Sequence, residues 1–180
     1  MKLNRPSPLP HICLVLGGAR SGKSRYAETL INERGRGLYL ATAEESDDEM
    51  SERIRRHKSR RGKNWDLVEE PLDIAEVISR ESNPLRPILV DCLTLWISNM
   101  MLAGRDSINE LPIVIAAAQS AKGQVVFVSN EVGLSIVPDN RAAREFCDIA
   151  GLTNQAVART ADTVIFISAG IPNILKGNIN

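Results

Sequence analysis

Residues Leu14–Ser24 read LVLGGARSGKS, and this stretch decides the fold of the chain. Gly17 to Ser24 fit the pattern GxxxxGK[ST], which follows an apolar run and precedes a helix-like stretch, as a phosphate-binding loop between a strand and a helix requires. Glycines let the backbone curl until successive N–H groups converge on an anion, and the helix N-terminus adds partial positive charge. A chance glycine turn is the alternative, and the flanking strand and helix argue against it.

The loop residues are therefore candidate nucleotide ligands with different tasks. We expect the Lys23 ammonium to reach the β- and γ-phosphates as a catalytic group, and the Ser24 hydroxyl to bind Mg²⁺. The full set of nucleotide-binding candidates in the loop is Gly17, Gly18, Ala19, Arg20, Ser21, Gly22, Lys23 and Ser24.

Short β-branched apolar runs alternate with helix-like stretches along the rest of the chain. The predicted strands are His11–Leu16, Gly37–Thr42, Pro87–Cys92, Gln124–Asn130 and Thr163–Ser168, with Trp65–Glu70 as a weaker sixth. The predicted helices are Lys23–Glu33, Asp47–Arg61, Leu72–Arg80, Leu93–Leu102, Leu111–Lys122 and Asn140–Ala161, the last with a break expected near Gly151. This alternation predicts a doubly wound α/β fold of the P-loop NTPase type, a mostly parallel sheet with helices on both faces. Residues 104–107 are expected to form a surface loop.

Composition limits the classes of function. The chain has 180 residues with 22 basic and 22 acidic side chains, a balance that argues against a general nucleic-acid or anionic-membrane binder. We expect one domain over residues 11–180 after a flexible leader over residues 1–10, with no signal peptide and no membrane span. The three cysteines lack zinc-ligand or disulfide spacing, which favours reduced thiols and a cytoplasmic location.

Ligands of such sheets bind beyond the carboxyl ends of the strands. Asp91 closes the strand ILVD and is the candidate second Mg²⁺ ligand, with an N-cap for the following helix as the alternative role. These features predict a nucleotide-binding enzyme. Because the chain is small and lacks an NKxD-like stretch, a small-molecule phosphotransferase is favoured over a motor or a GTPase switch.

The segment Asp47–Arg61 carries six cations around His57. A solvated basic helix face with a histidine at its margin is one interpretation. The other is that neighbouring cations keep the imidazole neutral, so that it attacks the α-phosphate, displaces pyrophosphate and carries a nucleoside monophosphate.

The chain also resembles a known family, the bifunctional adenosylcobinamide kinase/adenosylcobinamide-phosphate guanylyltransferases of cobalamin biosynthesis. The similarity runs from about Ile12 to Ser168. The motifs that carry it are GGARSGKSR, YLAT, DDEM followed by RI..HK, Glu69, the pair Asp91-Cys92, and SNEVG..IVP.NR..R.F.D..G..NQ.

The resemblance implies phosphorylation of adenosylcobinamide with ATP or GTP, then transfer of GMP from GTP through a guanylylated His57, in a homo-oligomer that uses Mg²⁺. It further implies nucleotide contacts at Ala41, Thr42, Ala43, Lys58, Ser59, Arg60, Arg61, Glu69 and Asp91.

The roles of Asn130, Glu131 and Arg141 stay open between ligand contacts and loop or cap structure. Residues 102–111 are shorter than the family usually has, which puts a corrinoid-covering or subunit-contacting element in doubt. A single-activity kinase and a non-catalytic GTP-binding subunit are the competing interpretations.

Overall fold

A computed structural model of the protein describes residues 11–33, 35–43 and 64–178. Within these ranges the chain forms seven strands and five helices. In chain order they are β1 (Ile12–Gly17), α1 (Lys23–Asn32), β2 (Gly37–Ala41), β3 (Trp65–Glu69), α2 (Ile74–Glu81), β4 (Ile88–Asp91), α3 (Leu93–Leu102), α4 (Ser107–Ser120), β5 (Val125–Asn130), α5 (Arg141–Thr160), β6 (Thr163–Ser168) and β7 (Ile171–Lys176).

All seven strands belong to one sheet in the order β3-β2-β4-β5-β1-β6-β7. Neighbouring strands are parallel except β7, which runs antiparallel to β6. The strand order reverses direction at β1, because the chain continues from β1 toward β2 and β3 on one side and reaches β6 on the other. Ligands of doubly wound sheets bind at such a switch point.

Both faces of the sheet are buried at its central strands. On one face, Cys13 and Val15 of β1 pack with Ala27 and Ile31 of α1. On the other face, alternate β1 residues such as Leu14 pack in a larger cluster with side chains of α2, α3, α4 and α5. Double burial explains why the strands read as unbroken apolar runs. The predicted fold class is confirmed, including the helices on both faces.

The predicted helix at 111–122 was wrong at its start. Helix α4 begins at Ser107, because the Asp106 carboxylate accepts hydrogen bonds from the N–H groups of Ile108 (3.0 Å) and Asn109 (3.2 Å). Pro112 lies inside the helix and not in its first turn, where proline is most common. Part of the predicted loop at 104–107 therefore belongs to the helix.

Two further sequence expectations differ from the structure. Helix α5 runs through Gly151 without a break, since a single glycine lowers helix stability by only about 1 kcal/mol. Strand β7 was not predicted, because all six of its residues are exposed and Pro172 is unusual in a strand. Pro172 is tolerated there because β7 is the edge of the sheet.

The described part of the chain contains no helix that is long and apolar enough to cross a membrane. The predicted leader over residues 1–10 and the predicted helix Asp47–Arg61 lie outside the described residues.

Candidate active site

The phosphate loop starts where β1 ends. Gly17 pairs in the sheet with Asn130 of β5 and Ile167 of β6. A Cβ atom added to Gly17 would lie 2.6 Å from the Ile167 carbonyl oxygen and 2.5 Å from Ser21 Oγ. Only glycine fits at this position, because the neighbouring carbonyl belongs to a central strand and cannot move aside.

The backbone of the loop is held at two points. The Ser21 N–H donates to the Gly18 carbonyl (3.2 Å), and the Ser21 carbonyl accepts from the N–H of Gly170 in the β6–β7 turn (2.9 Å). Gly22 has φ 96°, a left-handed conformation that favours glycine. Within the described ranges, no protein acceptor binds the N–H groups of Ala19, Arg20, Gly22 or Lys23. These groups remain available to an anion at the start of α1.

Lys23 is the first residue of α1, and its side chain is almost fully buried. Its Nζ donates one hydrogen bond to the Gly18 carbonyl (3.2 Å), so the ammonium keeps two further N–H groups for a ligand. Burial lowers the pKa of Lys23, and the nearby Cys92 and Asp91 partly oppose that effect. The structure therefore places a poorly solvated cation beside the phosphate loop.

Asp91 is the last residue of β4 and is half-buried. Its Oδ2 accepts a hydrogen bond of 2.5 Å from the Tyr39 hydroxyl. The alternative N-cap role is not observed, because Cys92 is the N-cap of α3 and no side chain makes a capping bond there. Asp91 lies at the same sheet edge as the phosphate loop, as predicted.

The ends of β2 and β3 lie beside Asp91. Ala41 pairs with Asp91 on one side and with Glu69 on the other, so both carboxylates flank the turn that begins at Thr42. The Thr42 hydroxyl is already engaged, because it donates to the Cys92 carbonyl and accepts from the Cys92 N–H, both at 2.8 Å. Thr42 thus ties β2 to β4, while half-buried Ala43 follows at the rim.

Asn130 ends β5, which lies between the strand of the phosphate loop and the strand of Asp91. Its Nδ2 donates to Thr94 Oγ1 (2.9 Å), and Thr94 Oγ1 lies 3.1 Å from Cys92 Sγ. Asn130 Oδ1 is buried without a partner in the described part of the chain. The Asn130 side chain lies between the end of β1, which leads into the phosphate loop, and the end of β4, which carries Asp91. Sequence reasoning had left the role of Asn130 open.

The residues after β5 have mainly local roles. Glu131 Oε1 accepts from the Gly133 N–H (3.1 Å), as a turn residue does. Asn140 caps α5 by accepting from the Ala143 N–H (2.8 Å), and Arg144 Nη1 donates to the carbonyls of Pro138 (2.9 Å) and Asp139 (2.8 Å). The helix start predicted at Asn140 is confirmed. A phosphate contact from Arg141 stays a prediction.

The other predicted site residues, His57, Lys58, Ser59, Arg60 and Arg61, lie outside the described residues. Sequence reasoning missed Tyr39 and Gly170.

The carboxylate of Asp91 and the hydroxyl of Ser24 are oxygen donors of the kind that Mg²⁺ prefers, so the residues present fit that ion. Among the described residues, no group of three or more His, Cys, Asp or Glu side chains is arranged to hold a metal. A Mg²⁺ ion would therefore need ligand oxygens from phosphate and water.

Comparison with known proteins gives the chain its family. The family described as cobinamide kinase / cobinamide phosphate guanyltransferase matches residues 13–175. The chain belongs to this family. The resemblance seen in the sequence is confirmed.

Curated members of the cobinamide kinase / cobinamide phosphate guanyltransferase family are similar over nearly their whole length. The bifunctional adenosylcobalamin biosynthesis protein CobP of Pseudomonas aeruginosa is 42% identical over 167 residues, which cover 91% of this chain and 96% of that protein. The protein CobU of Escherichia coli K12, described in the same words, is 41% identical over 173 residues, covering 88% and 96%. A solved structure is also similar, that of PH0250 from Pyrococcus horikoshii OT3. Its TM-score is 0.57 at 10% sequence identity, and the match covers 92% of this chain and 86% of that one. The two proteins therefore share the fold.

Proposed function

We propose that this protein phosphorylates adenosylcobinamide with ATP or GTP and then transfers GMP from GTP to the new phosphate, giving adenosylcobinamide-GDP. The observation that carries the proposal is that three features meet at one edge of the sheet: the unpaired N–H groups of the phosphate loop, the buried ammonium of Lys23 and the carboxylate of Asp91. The chain that carries them belongs to the cobinamide kinase / cobinamide phosphate guanyltransferase family.

In the kinase step, the hydroxyl oxygen of adenosylcobinamide bonds to the γ-phosphorus, and the bond from that phosphorus to the bridging β-oxygen breaks. The nucleoside diphosphate leaves, and the hydroxyl proton goes to solvent or a nearby base. The loop N–H groups and Lys23 hold the phosphates and offset their charge. When bound by Ser24 and Asp91, Mg²⁺ supplies further neutralisation of the phosphate oxygens.

In the guanylyl transfer, a ring nitrogen of His57 bonds to the α-phosphorus of GTP, and pyrophosphate leaves. The terminal phosphate oxygen of adenosylcobinamide phosphate then attacks the same phosphorus, and the P–N bond breaks to release the histidine. Covalent catalysis divides one difficult displacement into two. The cations Lys58, Arg60 and Arg61, with Ser59 and Glu69, are the proposed nucleotide contacts near this step, together with the turn Ala41–Ala43.

The experiment uses GTP labelled at the α-phosphorus. The wild-type protein with Mg²⁺ should retain acid-labile, base-stable label after denaturation, the stability of a phosphoramidate. His57→Ala should lose this label and keep cobinamide phosphorylation. His11→Ala is the matched control, because His11 is the second of only two histidines and is exposed, and it should label normally.

Lys23→Ala should lose at least about 100-fold in both reactions, since both use one triphosphate site and the charge that Lys23 supplies. Label on the His57→Ala protein would reject His57 as the nucleophile. Phosphorylation without any covalent label in the wild type would identify a single-activity kinase, and GTP binding with neither reaction would identify a non-catalytic subunit.

A further inference from the structure

A buried tyrosine hydroxyl, that of Tyr39, contacts the site. Its side chain is only 2% exposed, and its hydroxyl donates to Asp91 Oδ2 at 2.5 Å. Charge-assisted O–H···O⁻ bonds of this length are among the stronger hydrogen bonds in proteins. A tyrosine placed only to fill the core would bury its hydroxyl at a cost, and phenylalanine would fill the same space.

The sheet register explains how the two groups meet. Tyr39 of β2 pairs with Leu89 of β4, and Asp91 is two residues further along the same strand. Residues two apart in a strand point to the same face, so Tyr39, Leu89 and Asp91 all point to the face that α1 covers. The phenol ring leans along the strand and spans that two-residue step, which brings its hydroxyl to the carboxylate.

Neighbouring groups fix the ring in this position. The Trp65 ring lies edge-on to it, with ring centres 5.7 Å apart and an interplanar angle of 78°. Gly37 gives the Trp65 ring its room, because a Cβ atom there would lie 2.7 Å from a ring carbon of Trp65 and 2.6 Å from a methyl carbon of Ile31. The donor is therefore held rigidly by β2, β3 and α1.

The hydrogen bond leaves the two carboxylate oxygens of Asp91 in different states. Oδ2 is engaged by Tyr39, while Oδ1 has no protein donor in the described part of the chain. We propose that Tyr39 is a positioning residue, which fixes the Asp91 carboxylate so that Oδ1 is presented to the divalent metal or its bound water. The inference rests on the metal-side role proposed for Asp91, and it adds a residue that acts through Asp91.

The test measures metal binding rather than turnover. Mn²⁺ is titrated into the protein with a non-hydrolysable GTP analogue, and free Mn²⁺ is followed by electron paramagnetic resonance. Tyr39→Phe keeps the ring and removes only the hydroxyl, and should weaken Mn²⁺ binding about 10- to 100-fold, as outer partners of metal ligands generally do. Affinity for the analogue without metal should stay unchanged, because the phosphate loop is intact.

Tyr26→Phe is the matched control. Tyr26 is the only other tyrosine of the chain, and it packs against the same apolar cluster. This variant should bind Mn²⁺ like the wild type. Wild-type Mn²⁺ affinity in a folded Tyr39→Phe protein would overturn the positioning role.

Asp91→Asn separates this inference from the proposed function. If Asp91→Asn weakens Mn²⁺ binding while Tyr39→Phe does not, the metal-side role of Asp91 stands and the positioning role falls. If neither variant weakens binding, both fall. In the double variant, Tyr39→Phe should lower Mn²⁺ affinity little beyond the loss that Asp91→Asn causes alone. If Tyr39→Phe lowers Mn²⁺ affinity as much in the Asp91→Asn protein as in the wild type, Tyr39 acts elsewhere than through Asp91.

A spectroscopic measurement covers the case in which Tyr39→Phe does not fold. In the Tyr26→Phe protein, 3-fluorotyrosine labels Tyr39 alone. Its fluorine resonance should shift when Mg²⁺ is added to the complex with the GTP analogue, because the charge on the hydrogen-bonded carboxylate is then shared with the metal. An unchanged resonance at saturating Mg²⁺ overturns the proposal.

Discussion

At the scale of single residues, glycines that share one motif meet different surroundings. A Cβ atom at Gly17 would overlap the Ile167 carbonyl, whereas one at Gly18 would meet no atom within 4 Å. The two glycines are adjacent in the same loop. The same substitution at each position therefore tests how the packing around the glycine affects the stability of the protein.

Gly17→Ala should destabilise the nucleotide-free protein by about 2 kcal/mol, since overpacking of a rigid neighbour typically costs 1–3 kcal/mol. For a chain of this length that corresponds to a fall in melting temperature of about 4–8 °C, measured by calorimetry. Gly18→Ala is the control and should change the free energy of unfolding by less than about 0.5 kcal/mol. Equal melting temperatures for the two variants would contradict the argument.

The three thiols also differ by environment. Burial raises the pKa of Cys92 to about 11 and that of Cys13 to about 12, whereas Cys147 is only half-buried. The thiolate is the reactive form, and at pH 8 about one Cys92 in a thousand carries it. We therefore expect Ellman's reagent to titrate one thiol rapidly in the native protein and three after denaturation.

Raising the pH from 8 toward 10 should speed the slow thiols, because ionisation of Cys92 and Cys13 increases toward their pKa values. Cys147→Ser should abolish the rapid phase, and Cys92→Ser should leave it unchanged. A rapid phase of two thiols in the native wild type would show that burial does not protect Cys92.

At the scale of elements, the β6–β7 hairpin supports the phosphate loop through the bond from the Gly170 N–H to the Ser21 carbonyl. Its two turn residues both have positive φ, 50° at Ala169 and 80° at Gly170. This is the pattern of a two-residue turn that favours Asn-Gly. Alanine is therefore strained at the first turn position.

Ala169→Asn should stabilise the protein by about 0.5–1 kcal/mol, since asparagine adopts the left-handed region more readily than alanine. Urea unfolding measures the gain. Ala103→Asn is the control, because Ala103 is exposed and has an ordinary φ of −78°, and it should bring no such gain. A loss of stability in Ala169→Asn would argue against the turn conformation.

The sequence predicts elements well where local pattern and burial agree. The apolar runs at 12–17 and 125–130 predict central parallel strands, and GxxxxGKS locates Lys23 and Ser24, because that motif encodes its own loop geometry. Strand β7 could not be predicted, since its exposed residues carry no apolar alternation. The start of α4 was hidden by Pro112, although Asp106 is an N-cap residue.

The site was predictable only in part for a similar reason. Asp91 ends an apolar strand and is visible in the sequence. Its partner Tyr39 is 52 residues away, and only the register between β2 and β4 brings the two together. The hydroxyl bonds of Thr42 depend on the same pairing, so sequence alone could not distinguish a structural tie from a nucleotide contact.

At the scale of the whole molecule, exposed apolar side chains bear on assembly. Leu134, Ile136 and Val137 are 80%, 93% and 75% exposed in the loop after β5. Contiguous exposed apolar residues of this kind mark interaction sites. They support the expectation of a homo-oligomer.

Light scattering coupled to size exclusion should give a mass that is a multiple of 19.7 kDa. Ile136→Ser should weaken association about tenfold or more if this loop lies in the contact between copies. Leu85→Ser is the control, because Leu85 is 88% exposed and precedes β4 at the opposite end of that strand. A monomeric wild type at micromolar concentration would reject the expectation.

The position of β5 in the sheet has a consequence for the resting charge of the protein. Because β5 separates β1 from β4, the strand end that leads into the phosphate loop and the strand end that carries Asp91 are two strand spacings apart, about 10 Å. Among the described residues, the Lys23 ammonium and the Asp91 carboxylate form no direct ion pair. Asp91 acts on Lys23 electrostatically, since its charge partly opposes the lowering of the Lys23 pKa, but a triphosphate with its counter-ion reaches the two groups without first breaking a direct ion pair.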